Sequence, residues 1–100
     1  WTLNTLAAVL HDQGEFAGAR LLLERSLAIR EEHLGADHPY TAWTLNNLAG
    51  VVGAQGDLAG ARRLYERALA IREAHLGADH PDTAQSRRRL VALTTELEIP

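Results

Sequence analysis

Cysteine, methionine and lysine are all missing from these 100 residues. Without cysteine there is no disulfide and no thiolate metal site. That fits a reducing compartment, and cytoplasmic is the expected location. Without lysine, every one of the ten basic residues is arginine. Beside so much Ala and Gly, that bias suits a GC-rich genome. Only five residues are aromatic, so Ala and Leu must supply most of the core, and both are good helix formers. There is no excess of positive charge. A formal net charge of −3 gives no electrostatic case for nucleic acid or an anionic membrane. No apolar run approaches the ~18 residues of a membrane span, and no signal-peptide pattern is present. The chain starts on Trp1 and holds no methionine, so a segment of a longer protein is expected. A single domain of this size buries roughly 60–65% of its unfolded surface.

What the chain does have is repetition. Leu27–Ala42 reads LAIREEHLGADHPYTA, and Leu69–Ala84 reads LAIREAHLGADHPDTA. Aligned over the whole unit, residues 1–42 and 43–84 share 30 of 42 positions. A period of this length means a solenoid, a propeller or an array. The pattern inside one unit decides between them. Ala42, Leu45, Leu48, Ala49 and Val52 fall on one helical face. Gln55-Gly56 breaks the pattern, Gly suiting the left-handed position after a helix, and Asp57 is an N-cap candidate. A second amphipathic run carries Leu58, Ala61, Leu64, Tyr65, Ala68, Leu69 and Ile71–Arg72 and ends near Leu76. Gly77 then stops it, and Asp79-His80 precede Pro81, a residue favoured at the first helical position. Unit one reads the same way: helix to about Gln13, turn at Gly14, helix from Phe16 to about Leu34, exit at Gly35, restart at Pro39. After Ala84 the repeat decays, but Leu90, Leu93 and Leu97 keep a stripe. A fifth helix over about Asp82–Leu97 is expected to cap the array. The predicted organisation is one domain over 1–100: unit one 1–42, unit two 43–84, and a C-terminal half-unit 85–100.

The residues Leu45, Leu48, Ala49 and Val52, then Gln55-Gly56-Asp57, then Ala61, Tyr65 and Ala68, resemble the tetratricopeptide repeat. The ordinary period of that family is 34. Here it is 42, and the run LNNLA, QGD, YERALAIRE, HLGADHP resembles the kinesin-light-chain type, widespread in bacterial multi-repeat proteins. The resemblance covers about residues 1–84 well and 85–97 weakly. It implies an all-α, right-handed solenoid of antiparallel helix pairs, here five helices. It also implies a concave groove, lined by the first helix of each unit, that binds extended peptides or partner proteins. By position, the groove residues would be Trp1, Asn4, Thr5, Ala8 and His11 in unit one, and Trp43, Asn46, Asn47, Gly50 and Gly53 in unit two. The terminal helix would add Gln85, Arg88 and Arg89.

Each candidate has a plainer alternative. Asn4 and Asn46 could clamp both groups of a peptide bond, since an amide both donates and accepts, or could bond to neighbouring helices. Trp1 and Trp43 could anchor a partner or pack between helices. Gly50 and Gly53 cost helix stability, which close approach of a ligand or a helix would offset. Arg88 or Arg89 could fork onto a carboxylate, or the run Arg87-Arg88-Arg89 could be a solvated face. His33, His38, His75 and His80 lack a metal-ligand spacing, and the Asp-His-Pro step reads better as turn and N-cap chemistry. No nucleophile, phosphate loop or carboxylate pair supports catalysis, so neither an enzyme nor a cofactor is expected. Two functions remain. One is an interaction scaffold holding a peptide or partner segment in the groove. The other is an array element that stacks end to end on copies of itself through an uncapped N-terminal face.

Overall fold

A computed structural model describes the backbone of residues 3–98 and the side chains of residues 6–95. Trp1 lies outside the described residues, and so do the side chains of Asn4, Thr5 and Leu97. Five helices follow one another: α1 Leu3–Asp12, α2 Phe16–Leu34, α3 Pro39–Ala54, α4 Leu58–Leu76 and α5 Pro81–Glu98. The expected boundaries hold to within a residue or two.

The punctuation is local chemistry. Each connection carries one glycine in the left-handed region, Gly14, Gly35, Gly56 and Gly77 with φ between 78° and 96°. A side chain at those angles is strained even where space is open. Asp57 caps α4, its carboxylate accepting from the Gly60 backbone N–H at 2.9 Å. The Asp-His-Pro steps are caps as well. His38 Nδ1 accepts from the Tyr40 N–H at 3.1 Å, and His80 Nδ1 from the Asp82 N–H at 3.1 Å. A histidine that accepts at Nδ1 carries its proton on Nε2 when neutral. Two of the four histidines of the repeated stretch are therefore structural acceptors.

Each helix packs on its neighbour in sequence, and α1 also reaches α3. The apolar stripes expected from periodicity form the core: Ala42, Leu45, Leu48, Ala49 and Val52 on α3, with Ala61, Tyr65 and Ala68 on α4, are all buried. Ala19 and Ala61, at equivalent positions, have no exposed surface, and small side chains there let adjacent helices approach closely. Burying each Leu of the α3 stripe stabilises the fold by roughly 1.5–3 kcal/mol. On α5, Leu93 is buried and Leu90 half-buried, so the terminal helix keeps its apolar side.

Polar contacts tie neighbouring helices and their connections together. Thr41 donates to the Gly35 carbonyl at 2.9 Å. Arg67 on α4 bonds to Glu31 at 3.2 Å and to the Ala36 carbonyl at 3.3 Å. Arg87 on α5 reaches the Ala78 carbonyl at 3.3 Å, the position equivalent to Ala36 one unit on. The pairs Arg20–Glu24 and Arg62–Glu66 form at i,i+4, worth a few tenths of a kcal/mol each at the surface.

Candidate functional site

Helices α1, α3 and α5 share one face, and a cavity of about 250 Å³ lies along it. From α1 come Ala8, His11 and Asp12; from α3 come Trp43, Asn46, Asn47 and Gly50; from α5 come Gln85 and Arg89. Periodicity explains the gathering. Trp43, Asn46, Asn47 and Gly50 lie three and four apart, beside the stripe that α3 buries. Gln85 and Arg89 are likewise one turn apart on α5.

The expected groove residues do not all stand alike. Trp43 is 41% exposed and offers a broad apolar surface. His11 is exposed and packs edge-on against Phe16, ring centres 5.3 Å apart. Asn47 and Gly50 are half-buried. Arg88 does not line the cavity; its neighbour Arg89 does. The core side of α5 is set by Thr83, Ser86 and Leu93, and that places Gln85 and Arg89, not Arg88, on the edge facing α3. Gly53 belongs to an adjoining hollow with Tyr65, Leu93 and Arg89.

The glycines are not held open by close approach of a neighbouring helix. A methyl at Gly53 would meet the Ala61 Cβ at 3.5 Å, and one at Gly50 the Tyr65 hydroxyl at 3.6 Å. Both are ordinary van der Waals distances. The expectation that a tightly apposed helix excludes a side chain there is therefore not met.

Asn46 is the main departure. It is only 6% exposed, and its side chain ends a buried relay. Arg72 on α4 donates through Nη1 to the Ser86 hydroxyl at 2.8 Å, and Ser86 Oγ lies 3.3 Å from Asn46 Oδ1. The polarity of this chain is fixed. Arginine can only donate, so Ser86 must accept from it, and the one Ser86 proton goes to Asn46 Oδ1. The Asn46 NH₂ is thereby left over, without a partner among the described residues, on a side chain that lines the groove. Arg72 also donates to the Asp82 carbonyl at 3.0 Å. Burial lowers the pKa of its guanidinium from the ordinary value; nearby Asp82 opposes this and Arg89 adds to it.

Periodicity places Arg72 on the second helix but assigns it no role at the site. A signal was there. Arg30 and Arg72 are equivalent, and each is followed fourteen residues later by a hydroxyl, Thr44 or Ser86, although α5 has otherwise lost the repeat. The environments then differ. Arg30 lies over the Tyr40 ring, 5.1 Å from its centre, whereas Arg72 turns inward beside Asp82. The Tyr40/Asp82 exchange separates the two.

Among the described residues no group of His, Asp and Glu is arranged to hold a metal ion. No helix there is long and apolar enough to cross a membrane.

Comparison with known proteins places the fold. A tetratricopeptide repeat family model matches residues 1–74. No curated protein matches the chain in sequence. Among solved structures, the chain is similar to a Podosopora anserina protein described as a putative kinesin light chain with nearly identical TPR-like repeats. Identity is 27% and the TM-score 0.86, covering 95% of this chain and 45% of that one. A singly substituted form of the same protein superposes with a TM-score of 0.85, again at 27% identity and over the same shares of the two chains. BtubC (BKLC) from P. vanneervenii shares the fold at a TM-score of 0.89 and 22% identity, over 96% of this chain and 38% of that one. The chain thus spans less than half the length of these solved proteins. Its right-handed stack of antiparallel helix pairs, its two near-identical units and the matched residues lead to one assignment: the chain belongs to the tetratricopeptide repeat family, in its kinesin-light-chain-like form.

Proposed function

We propose that the concave face built by α1, α3 and α5 holds an extended segment of a partner protein. Tetratricopeptide repeats are interaction scaffolds, and the chain works by binding rather than by catalysis. The observation that carries the reading is the convergence of three helices on one cavity with unspent hydrogen-bonding capacity. The Asn46 NH₂ and the half-buried Asn47 amide suit a peptide backbone. Trp43 suits an apolar side chain. Arg89, which has no ion pair among the described residues, suits a carboxylate. The cysteine-free composition favours a cytoplasmic setting.

The test is selection of peptides from a random display library, followed by affinity measurement on variants. Asn47→Ala and Arg89→Ala should each weaken the selected peptides while leaving the melting temperature nearly unchanged. Undiminished affinity in both variants rejects the groove. Asn46→Ala is a poorer probe, because it also opens the buried relay.

A second reading rests on a different observation. Leu6 is 40% exposed and Ile29 42%, yet their equivalents Leu48 and Ile71 are 5% and 4% exposed because unit one covers them. The outer face of unit one therefore resembles an internal interface, and a second copy could stack there end to end. Sedimentation across a wide concentration range decides it. A strict monomer at high concentration excludes stacking, and a Leu6→Glu variant should dissolve any assembly that forms.

A further inference from the structure

A second cleft, of about 340 Å³, opens at the edge of the molecule between the starts of α3 and α5. Pro39, Tyr40, Trp43 and Leu76 give it apolar walls, and Arg72 lines it from within. Arg72 is 3% exposed and forms no ion pair among the described residues. Both of its hydrogen bonds leave from Nη1, to the Asp82 carbonyl and the Ser86 hydroxyl. Nη2 and Nε have no partner there. The Asp82 carboxylate acts on it through space but forms no ion pair with it, and a buried cation without an ion-pair partner is costly unless something compensates it; the equivalent Arg30 finds an aromatic face instead.

We propose that this edge cleft, which shares Trp43 with the groove, is a second binding site, for a carboxylate carried on an apolar body. The unused donors of Arg72 take the carboxylate, in the forked geometry that guanidinium and carboxylate share. Tyr40 and Trp43, 56% and 41% exposed, flank the apolar part. Asp82 sets the charge limit. It also lines the cleft, its carboxylate 4.0 Å from His80 Nδ1, and repels a dianion more than a monoanion. The site therefore takes a carboxylate and rejects phosphate. The ligand is either the last residue of a peptide chain or a small carboxylic acid.

The test titrates the intact protein with N-acetylphenylalanine, its amide, 3-phenylpropionate and inorganic phosphate, following the Trp43 indole and Arg72 Nε–H resonances by NMR. The free acid should bind, with the amide about tenfold weaker for loss of one charge-assisted interaction. Arg72→Gln should abolish the difference between acid and amide. Because Arg72 is buried, Asp82→Asn gives an independent readout on an exposed side chain, and should tighten the acid several-fold. If N-acetylphenylalanine exceeds 3-phenylpropionate, the ligand is a peptide terminus; the reverse order makes it a small acid, and either order upholds the site. Equal binding of acid and amide, tighter binding of phosphate, no binding of either acid at millimolar concentration, or unchanged affinity in Asp82→Asn overturns it.

Discussion

Arg72 donates to Ser86 across 2.8 Å, and that bond joins α4 to α5 directly beneath the groove. It occupies an acceptor site of one hydroxyl, directs that hydroxyl's proton to Asn46, and leaves the asparagine NH₂ as a donor. A buried residue on α4 thus decides what a groove residue on α3 can offer.

Removing the hydroxyl isolates both ends. Ser86→Ala leaves Asn46 Oδ1 and an Arg72 N–H unsatisfied in the interior, at a cost of about 1–3 kcal/mol. Ser26 is buried too, but its equivalent in unit two is Ala68, so Ser26→Ala should change stability by less than about 0.5 kcal/mol. Urea unfolding of the two variants checks the contrast.

Thr41 and Thr83 are equivalent, fully buried and differently served. Thr41 donates to the Gly35 carbonyl at 2.9 Å, while the Thr83 hydroxyl has no partner among the described residues. Thr41→Val should cost about 1 kcal/mol, and Thr83→Val should be neutral or stabilising by a similar amount. Thermal melts of the matched pair measure the difference, which should carry opposite signs or at least differ by about 1 kcal/mol.

Glycine has two uses here, and substitution separates them. Gly53 lies inside α3 with room for a methyl, so Gly53→Ala should stabilise by about 0.5–1 kcal/mol. Gly56 holds φ at 94°, so Gly56→Ala should destabilise by roughly 1 kcal/mol or more. Denaturant midpoints report both.

The histidine caps can be replaced by better-known ones. His38→Ala and His80→Ala should each lower stability by about 1 kcal/mol, whereas His38→Asn should retain most of it. Circular dichroism melts decide this. Equal losses for Ala and Asn at position 38 would mean that the ring packs rather than caps.

Much of the fold is legible in the sequence because repetition makes each signal count twice. The stripe from Ala42 to Val52, the four glycine stops and the Asp-His-Pro restarts are local rules, and all three operate where expected. Helix periodicity also brings Trp43, Asn47 and Gly50 to one face without reference to any other element. The rest depends on distances between helices. Arg89 rather than Arg88 faces the groove because of how α5 rolls its core side onto its neighbours, which a decaying repeat does not specify. The hydrogen-bond partner of Asn46 is Ser86, forty residues away. The Tyr40/Asp82 exchange acquires a meaning only once Arg30 and Arg72 are seen in their two surroundings. Gly53 is the opposite case, where a plausible packing reason dissolves once the distance to Ala61 is known.

The claim that the concave face binds a partner segment is tested most directly by NMR shift mapping of a display-selected peptide on the labelled protein. The account predicts the largest amide and side-chain shifts at His11, Trp43, Asn47, Gly50 and Arg89, on three helices at once. Shifts confined to Leu6, Ile29 and their surroundings, or to the outer surface of α2 and α4, would contradict it.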